Sequence, residues 1–342
     1  MEIIPSSSPL FAKHFARLWR LTAWRHPLYQ PRSIRYAQAY TQIEKARNLS
    51  FVVCEGGVPL AGVLWFALTR EGERELSVFG WPVLYLENQQ LDPTLKRSLG
   101  IQVKEQVQQT LGMESPALAP AKLLYMDPLL QGRLSFFGEM LLSIGARAQP
   151  RVITVVDLFQ SEEALWQGVR KSYKSLINWG EKHLEPQIVS GREMTGEKME
   201  AFRQNHIQQA GRETRSPQTW ALQRQMVEAG EGFCVYGHWQ GELVSSSLFL
   251  HSDHYTLYGV SASERKLFDK PLAHSLIWKA MVHAKSLGHR YFEMGDRLYP
   301  ELGATGPVPS ENRSEPTPKE MGISRFKGGF GGEEWVHLEL YL

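Results

Sequence analysis

The segment GISRFKGGFGGEEW, Gly322 to Trp335, places one lysine within a run of glycines. Gly328, Gly329, Gly331 and Gly332 flank Phe330, and glycine lets a backbone take positive φ or approach a ligand closely. Lys327 adds a cation to that flexible stretch. The pairing suits an anionic group, or the oxyanion that develops when a carbonyl is attacked. The competing reading is a glycine-rich turn with a solvated lysine, leading into the strand-like VHLELYL. Composition does not separate the two.

Other clusters carry charge at useful spacing. In AGRETRSPQTW, Arg212 and Arg215 stand three apart, ahead of an expected N-cap, Ser216, and Pro217 at the first helical position. Two guanidiniums beside a helix start can clamp a carboxylate or phosphate, and Trp220 can stack on a sugar or base. A surface turn with salt-bridged arginines is the plainer alternative. The stretch RKSYKSLINWGEK offers Arg170, Lys171, Lys174 and Lys182 with Tyr173 and Trp179. Arg170 and Lys174, four apart, share a helix face. That face binds phosphate or is simply solvated, since Glu181 and Glu185 offset part of its charge. Before Pro271 stand three further cations, Arg265, Lys266 and Lys270.

Several chemistries are disfavoured. His251 and His254 are three apart in a strand-like run and face opposite sides, so no metal site is expected. Ser245-Ser246-Ser247 lacks a nucleophile elbow. No phosphate-binding P-loop and no dinucleotide fingerprint is present. Asp253, Glu293 and Asp296 are the candidates for a general base, and water can serve an amine instead.

These residues need a scaffold of two domains' length, since 342 residues exceed one ordinary domain. A net charge of +2 is too small to argue by itself for a nucleic-acid partner, and no DNA partner is expected. Cys54 and Cys234 lie in apolar strand-like runs and read as buried reduced thiols. The N-terminus lacks the pattern of a secretory signal, and no apolar run reaches the roughly 18 residues of a membrane span. A cytoplasmic location is expected. Trp19, Leu21 and Trp24 among Arg17, Arg20 and Arg25 leave peripheral membrane contact open beside a half-buried helix.

Helices are expected at Phe11 to Trp24, Leu95 to Leu111, Arg133 to Ile144, Glu162 to Arg170, Lys171 to Lys182, Thr195 to Ala210, Pro217 to Glu228 and Pro271 to Leu287. Strands are expected at Phe51 to Leu68 (a hairpin), Lys122 to Met126, Val152 to Val156, Phe233 to Leu250 (a hairpin), His254 to Val260 and Tyr291 to Met294. The halves read as distant copies. Both hairpins open Phe-x-Val at an offset of 182, and the Leu-x-x-Ser-Leu helices at Leu95 and Leu272 follow at an offset of 177. Such copies form two lobes, 1–150 and 151–342, with a cleft between them. The proline- and glutamate-rich stretch 296–321 reads as a mobile lid or plain disorder.

The second half resembles the Fem family of aminoacyl-tRNA-dependent peptidoglycan-bridge transferases and their CelD-like relatives. The resemblance rests on Arg170 to Lys182, on Gly259-Val-Ser through Pro271-Leu-x-His274 to Gly288, on Tyr291-Phe-Glu-Met-Gly295-Asp296, and best on Phe326-Lys327-x-x-Phe330-Gly331-Gly332. It implies a duplicated GNAT-like α+β fold, mixed sheets flanked by helices, with a degenerate N-terminal lobe. It also implies transfer of an acyl or aminoacyl group to an amine of a sugar, peptide or cell-envelope precursor. Lys327 and Asp296 would be catalytic, Lys327 steadying donor phosphate or the oxyanion and Asp296 closing the cleft with the lid, and Phe326 would bind substrate. Arg212, Arg215, Trp220, Tyr173 and Lys174 would bind substrate, and Arg265 and Lys270 the donor. Acyl-CoA or aminoacyl-tRNA would be co-substrate, with no permanently bound cofactor and tRNA a candidate partner. Glu293 stands where the family has aspartate, and no G-x-G precedes Pro271, which counts against CoA. Two alternatives stand: acyl-CoA-dependent N-acylation of an amino sugar, and an inactive binding module that keeps the fold.

Overall fold

A computed structural model describes residues 1–70, 72–114, 122–299 and 316–342. Most of the expected lid, 300–315, lies outside the described residues. The first half contains β1 (Glu2–Pro5), α1 (Phe11–Leu21), α2 (Pro31–Thr41), β2 (Ala46–Asn48), β3 (Phe51–Glu55), β4 (Val58–Leu64), β5 (Phe66–Arg70), β6 (Glu73–Ser77), β7 (Leu84–Glu87), α3 (Pro93–Glu114), β8 (Lys122–Asp127) and α4 (Phe136–Ser143). A long strand, β9 (Arg147–Asp157), leads into the second half. There follow α5 (Glu162–Gly168), α6 (Lys171–His183), β10 (Gln187–Ser190), α7 (Gly196–Ala210), α8 (Pro217–Glu228), β11 (Gly232–Trp239), β12 (Glu242–His251), β13 (Tyr255–Ser263), α9 (His274–Ser286), β14 (Tyr291–Asp296), α10 (Pro318–Lys327) and β15 (Glu333–Tyr341).

The expected duplication shows in the order of elements, although β5, β6 and β7 stand where the second half has β13 alone. Hairpin β3–β4 corresponds to β11–β12, α3 to α9, and the run β8–α4–β9 to β14–α10–β15. The last strand of each run crosses to the other half. β9 pairs antiparallel with β14, from Tyr291↔Asp157 to Asp296↔Ile153. β15 pairs antiparallel with β8, from Leu338↔Asp127 to Tyr341↔Leu124. The two crossing strands then pair with each other, from Glu333↔Val155 to Tyr341↔Arg147. This exchange makes one sheet of eleven strands, ordered β10-β11-β12-β13-β14-β9-β15-β8-β6-β5-β2, beside a four-stranded sheet β1-β3-β4-β7. Pro150 is tolerated inside β9 because β14 pairs only with residues from Ile153 onward, so the proline lacks a neighbour on one side.

Each half also contains one pair of parallel strands that part company. β13 and β14 pair only from Tyr255↔Tyr291 to Leu257↔Glu293. Beyond that, β13 continues beside β12 and β14 beside β9. In the first half, β6 and β8 pair at Glu75↔Lys122 and Leu76↔Leu123, with one further bridge at Val83↔Tyr125. After it, β7 stays with β4 while β8 turns to β15.

Separate apolar clusters hold the halves. Phe51, Trp65, Leu76, Val103 and Phe137 are buried in one, and Phe233, Phe249, Ile277, Phe292 and Phe330 in another. A third cluster joins α1 and α2 to the first half and reaches Tyr255 of the second. Trp24 is buried in it and Trp19 packs against it, so the aromatic side of α1 faces protein. Arg25 pairs with Asp253 at 2.8 Å. Both cysteines are buried and free. Among the described residues, no helix is long and apolar enough to cross a membrane.

Candidate active site

The segment expected to be a flexible glycine-rich stretch begins as a helix and continues as closely packed backbone. Thr317-Pro318-Lys319-Glu320 forms a capping box: the Thr317 hydroxyl accepts the Glu320 amide at 3.3 Å, and the Glu320 carboxylate accepts the Thr317 amide at 2.8 Å. Pro318 fits the first turn, where its missing N–H is no loss. The helix so started includes Gly322 and ends at Lys327, where the negative end of the helix dipole favours a cation. The glycines beyond it serve close packing. A Cβ on Gly329 would lie 2.2 Å from the Tyr173 ring. Gly332 has φ +95°, and a Cβ there would sit 2.6 Å from the Val155 carbonyl oxygen.

Lys327 therefore projects from a fixed point into the divergence of β13 and β14. Its ammonium lies 5.4 Å from the centre of the Tyr258 ring. It comes within 2.9 Å of where a side chain on Gly295 would begin. Between Glu293 and Gly295 the β14 register shifts, leaving Met294 as the extra residue. Such a bulge re-aims the residues after it, here Asp296. Among the described residues Lys327 has no hydrogen-bond or ion-pair partner. Burial pushes its pKa down from the usual lysine range, opposed by Asp296 and Glu293 and aided by Arg151.

Alternating charges extend inward from this lysine. Arg151 on β9 donates from Nε to Asp296 Oδ1 at 2.7 Å, and its Nη1 lies 3.4 Å from Glu339 Oε1 on β15. Deeper, buried Glu293 accepts the Tyr255 hydroxyl at 2.7 Å and faces His26 Nε2 at 3.0 Å. His26 Nδ1 accepts the Leu28 amide, which places the ring proton on Nε2, toward the carboxylate. Burial pushes the Glu293 carboxyl up, but His26 and Tyr255 outweigh it and hold the group at about 2. Asp296 and Glu293 are thus both committed to donors, which disfavours either as a proton acceptor. His337 on β15 is buried nearby, edge-on to Trp24, and neither ring nitrogen has a hydrogen-bond partner among the described residues. Burial, its largest influence, drives the imidazole down to about 4.

A four-ring group fills the adjoining space. Tyr173 on α6 meets His274 at the start of α9, with ring centres 4.6 Å apart, and Phe330 at 5.3 Å. Phe326 lies 5.1 Å from His274. Burial lowers the His274 imidazole to about 4. The structure thus brings Lys327, Asp296, Phe326 and Tyr173 to one region.

The other sequence candidates lie elsewhere. Lys174 donates to Gln167 at 3.3 Å and rides over Trp166. Arg212 is exposed in the turn before α8. Arg215 donates to the Tyr36 hydroxyl at 3.1 Å and lies 3.0 Å from His206 Nε2, which ties α2 to the second half instead of leaving a free clamp. Trp220 is buried against Phe202, so the stacking expected of it is corrected: protein covers its ring. Arg265 opens a short turn before α9, and Lys270 pairs with Asp269 at 2.5 Å. The sequence reading missed Arg151, His26, Tyr255, His337 and Glu339. One signal was available: in VHLELYL, His337, Glu339 and Tyr341 alternate with apolar residues, the mark of a polar strand face.

No protein-family model matches the sequence, and no curated protein matches it. Solved structures do. FemX superposes with a TM-score of 0.69 at 12% identity, over 99% of this chain and 97% of that one. The C-terminal domain of a putative lysylphosphatidylglycerol synthetase from Agrobacterium fabrum gives 0.58 at 10%, over 96% and 90%. L-PGS from Bacillus licheniformis gives 0.54 at 11%, over 91% of each chain. At such identities the likeness establishes the fold alone: the chain shares the α+β architecture of FemX over nearly its whole length, as the resemblance to the Fem family led one to expect.

Proposed function

We propose that this chain is an acyltransferase, moving an acyl or aminoacyl group to an amine at the Lys327 end of the β13–β14 divergence. The observation that carries this reading is Lys327 itself: a partly desolvated ammonium, without a hydrogen-bond or ion-pair partner among the described residues, fixed at a helix end where two parallel strands open. Ions are rarely left unpaired away from water unless a ligand completes them. In the reaction, the amine nitrogen attacks the carbonyl carbon of an activated ester or thioester. The oxyanion forms beside Lys327, the C–O or C–S bond breaks, and the leaving group takes up the proton the amine gives up. A cation aimed at that oxygen contributes on the order of 10²–10³ in rate.

The acceptor class is an amine of a sugar, peptide or envelope precursor, and the donor is acyl-CoA or aminoacyl-tRNA. FemX and the lysylphosphatidylglycerol synthetases, which share the fold, support an envelope-directed acceptor. The halves 1–150 and 151–342 act as two lobes in this reading, with Arg265 and Lys270 toward the donor and Arg212 toward an anionic substrate group. The test is to offer acetyl-CoA, a longer acyl-CoA and aminoacyl-tRNA separately with a panel of amines, and to detect acylated product by mass spectrometry. One donor is expected to transfer, and Lys327→Ala to lower turnover about 10²-fold or more with the melting temperature kept. Transfer from no donor, or unchanged turnover in the variant, refutes the reading.

A further inference from the structure

The first half has its own strand divergence, between β7 and β8, and there the fold leaves a cavity of about 800 Å³. In the second half, Phe326, Phe330, Tyr173 and His274 pack against one another beside the corresponding divergence. In the first, Phe136 of α4 lies against α3 at Gly100, where a Cβ would approach its ring to 2.5 Å. With that ring against the helix, the space beside it stays open. Leu84, Leu99 and Tyr125 line it as buried residues, and Leu134 and Phe136 as half-buried ones. Its edge carries two of the chain's exposed large apolar side chains, Ile101 at 51% and Leu130 at 41%. An apolar interior with apolar residues left in water at its mouth indicates a surface that a ligand covers.

The charges at the mouth are not balanced. Arg97, Ile101 and Lys104 follow each other at helical spacing along α3, and Arg133 stands in the loop after β8. None of these three cations has an ion pair among the described residues. Of the acids, Glu87 is engaged by Lys96 at 3.6 Å and by the Tyr85 hydroxyl at 3.0 Å. Asp127 accepts from the Ser135 hydroxyl at 2.6 Å and the Leu129 amide at 3.0 Å. Only Glu139 among the lining acids is left exposed. The loop beneath is strained: Leu129 at φ 46° and Gln131 at φ 57° occupy the left-handed region without being glycine. Such strain concentrates at ligand clamps.

We propose that this cavity binds an amphiphilic anion. An extended acyl chain would lie on Leu84, Leu99, Leu134 and Phe136, and a phosphate-bearing end would be held by Arg97, Lys104 and Arg133. The assignment stands on the cavity and not on the transfer reading. A phospholipid and a long-chain acyl thioester of a phosphorylated carrier share this chemistry.

Calorimetry with the full chain, below micelle-forming concentrations, tests it. Dodecyl phosphate is expected to bind at least tenfold more tightly than butyl phosphate or inorganic phosphate. Arg97→Glu with Lys104→Glu, and separately Leu134→Trp, are expected to weaken it tenfold or more with melting temperatures kept. Lys327→Ala is expected to bind as the parent does, which separates this site from the transfer site. Lauroyl-CoA and lysophosphatidylglycerol form the two further arms, and the tighter one identifies the source. Should a variant fail to fold, a diazirine-bearing dodecyl phosphate on the parent chain replaces it, with labelling expected between Leu84 and Phe136. No chain-length dependence, affinities unmoved by the cavity variants, or labelling confined to the second half would each overturn the proposal.

Discussion

A lysine partly withdrawn from water has a chemical consequence at the scale of a single residue. Burial lowers the Lys327 pKa, so the side chain loses its charge at a lower pH than a free lysine does. If the cation is needed for transfer, activity falls on the alkaline side before the ordinary lysine range is reached. Lys327→Arg is expected to keep part of the rate and move that limb upward, because guanidinium stays charged. A pH–rate profile in which parent and Lys327→Arg share one limb would assign it to another group. His337 gives the opposite kind of dependence. Its imidazole sits at about 4 in the fold against an ordinary 6.5. Between those values the unfolded chain takes up the proton and the folded chain does not, so stability falls as pH drops from about 6.5 to 4. The difference corresponds to about 3 kcal/mol. His337→Met removes a ring with no hydrogen-bond partner, so stability at pH 7 is expected to hold or rise and the acid slope to flatten. Melting temperatures across that range check both.

Placement of the lysine is decided by α10 and the turn after it. Thr317→Ala removes the capping box and is expected to cost about 1 kcal/mol. Hydrogen exchange across 318–327 should quicken, and transfer should fall, because Lys327 is the last residue of the helix that frays. Gly329→Ala drives a methyl into the Tyr173 ring and is expected to cost roughly 1–3 kcal/mol, read as a lower denaturant midpoint at unchanged slope. Threonine, proline and glutamate at 317, 318 and 320 carry the capping-box signature, yet the stretch 296–321 was expected to be a lid or disorder, so the helix over Pro318–Lys327 corrects that expectation at its C-terminal end. The glycines by themselves suggest flexibility, because a sequence shows that glycine is permitted but not what packs against it.

For the whole molecule, the decisive feature is the exchange of β9 and β15. β9, from the first half, pairs with β14 of the second, and β15, from the second, pairs with β8 of the first, so neither half is closed alone. A chain stopped after Gly332 loses β15, which pairs with both β8 and β9. Such a chain is expected to lose cooperative unfolding in both halves, seen as a broad or absent transition in calorimetry. A sharp transition near the parent temperature would show that the exchange is dispensable. The same exchange carries Glu339 and His337 from the end of the chain to Arg151, Glu293 and His26, which belong to three other segments.

Local pattern alone marked the repeating hairpins and the paired α3 and α9 helices, because periodicity and turn residues act between near neighbours. The fold class and the Phe-Lys segment rested on the family resemblance, whereas the duplication was legible in the sequence itself. Which strand crosses to which half was not, since pairing partners are set by backbone hydrogen bonds between distant segments. That crossing decided the buried charges around Lys327. The two strand divergences also differ: the second holds the Lys327 ammonium beside packed rings, and the first an open cavity lined with leucines and rimmed by cations, in the half the resemblance implied to be degenerate.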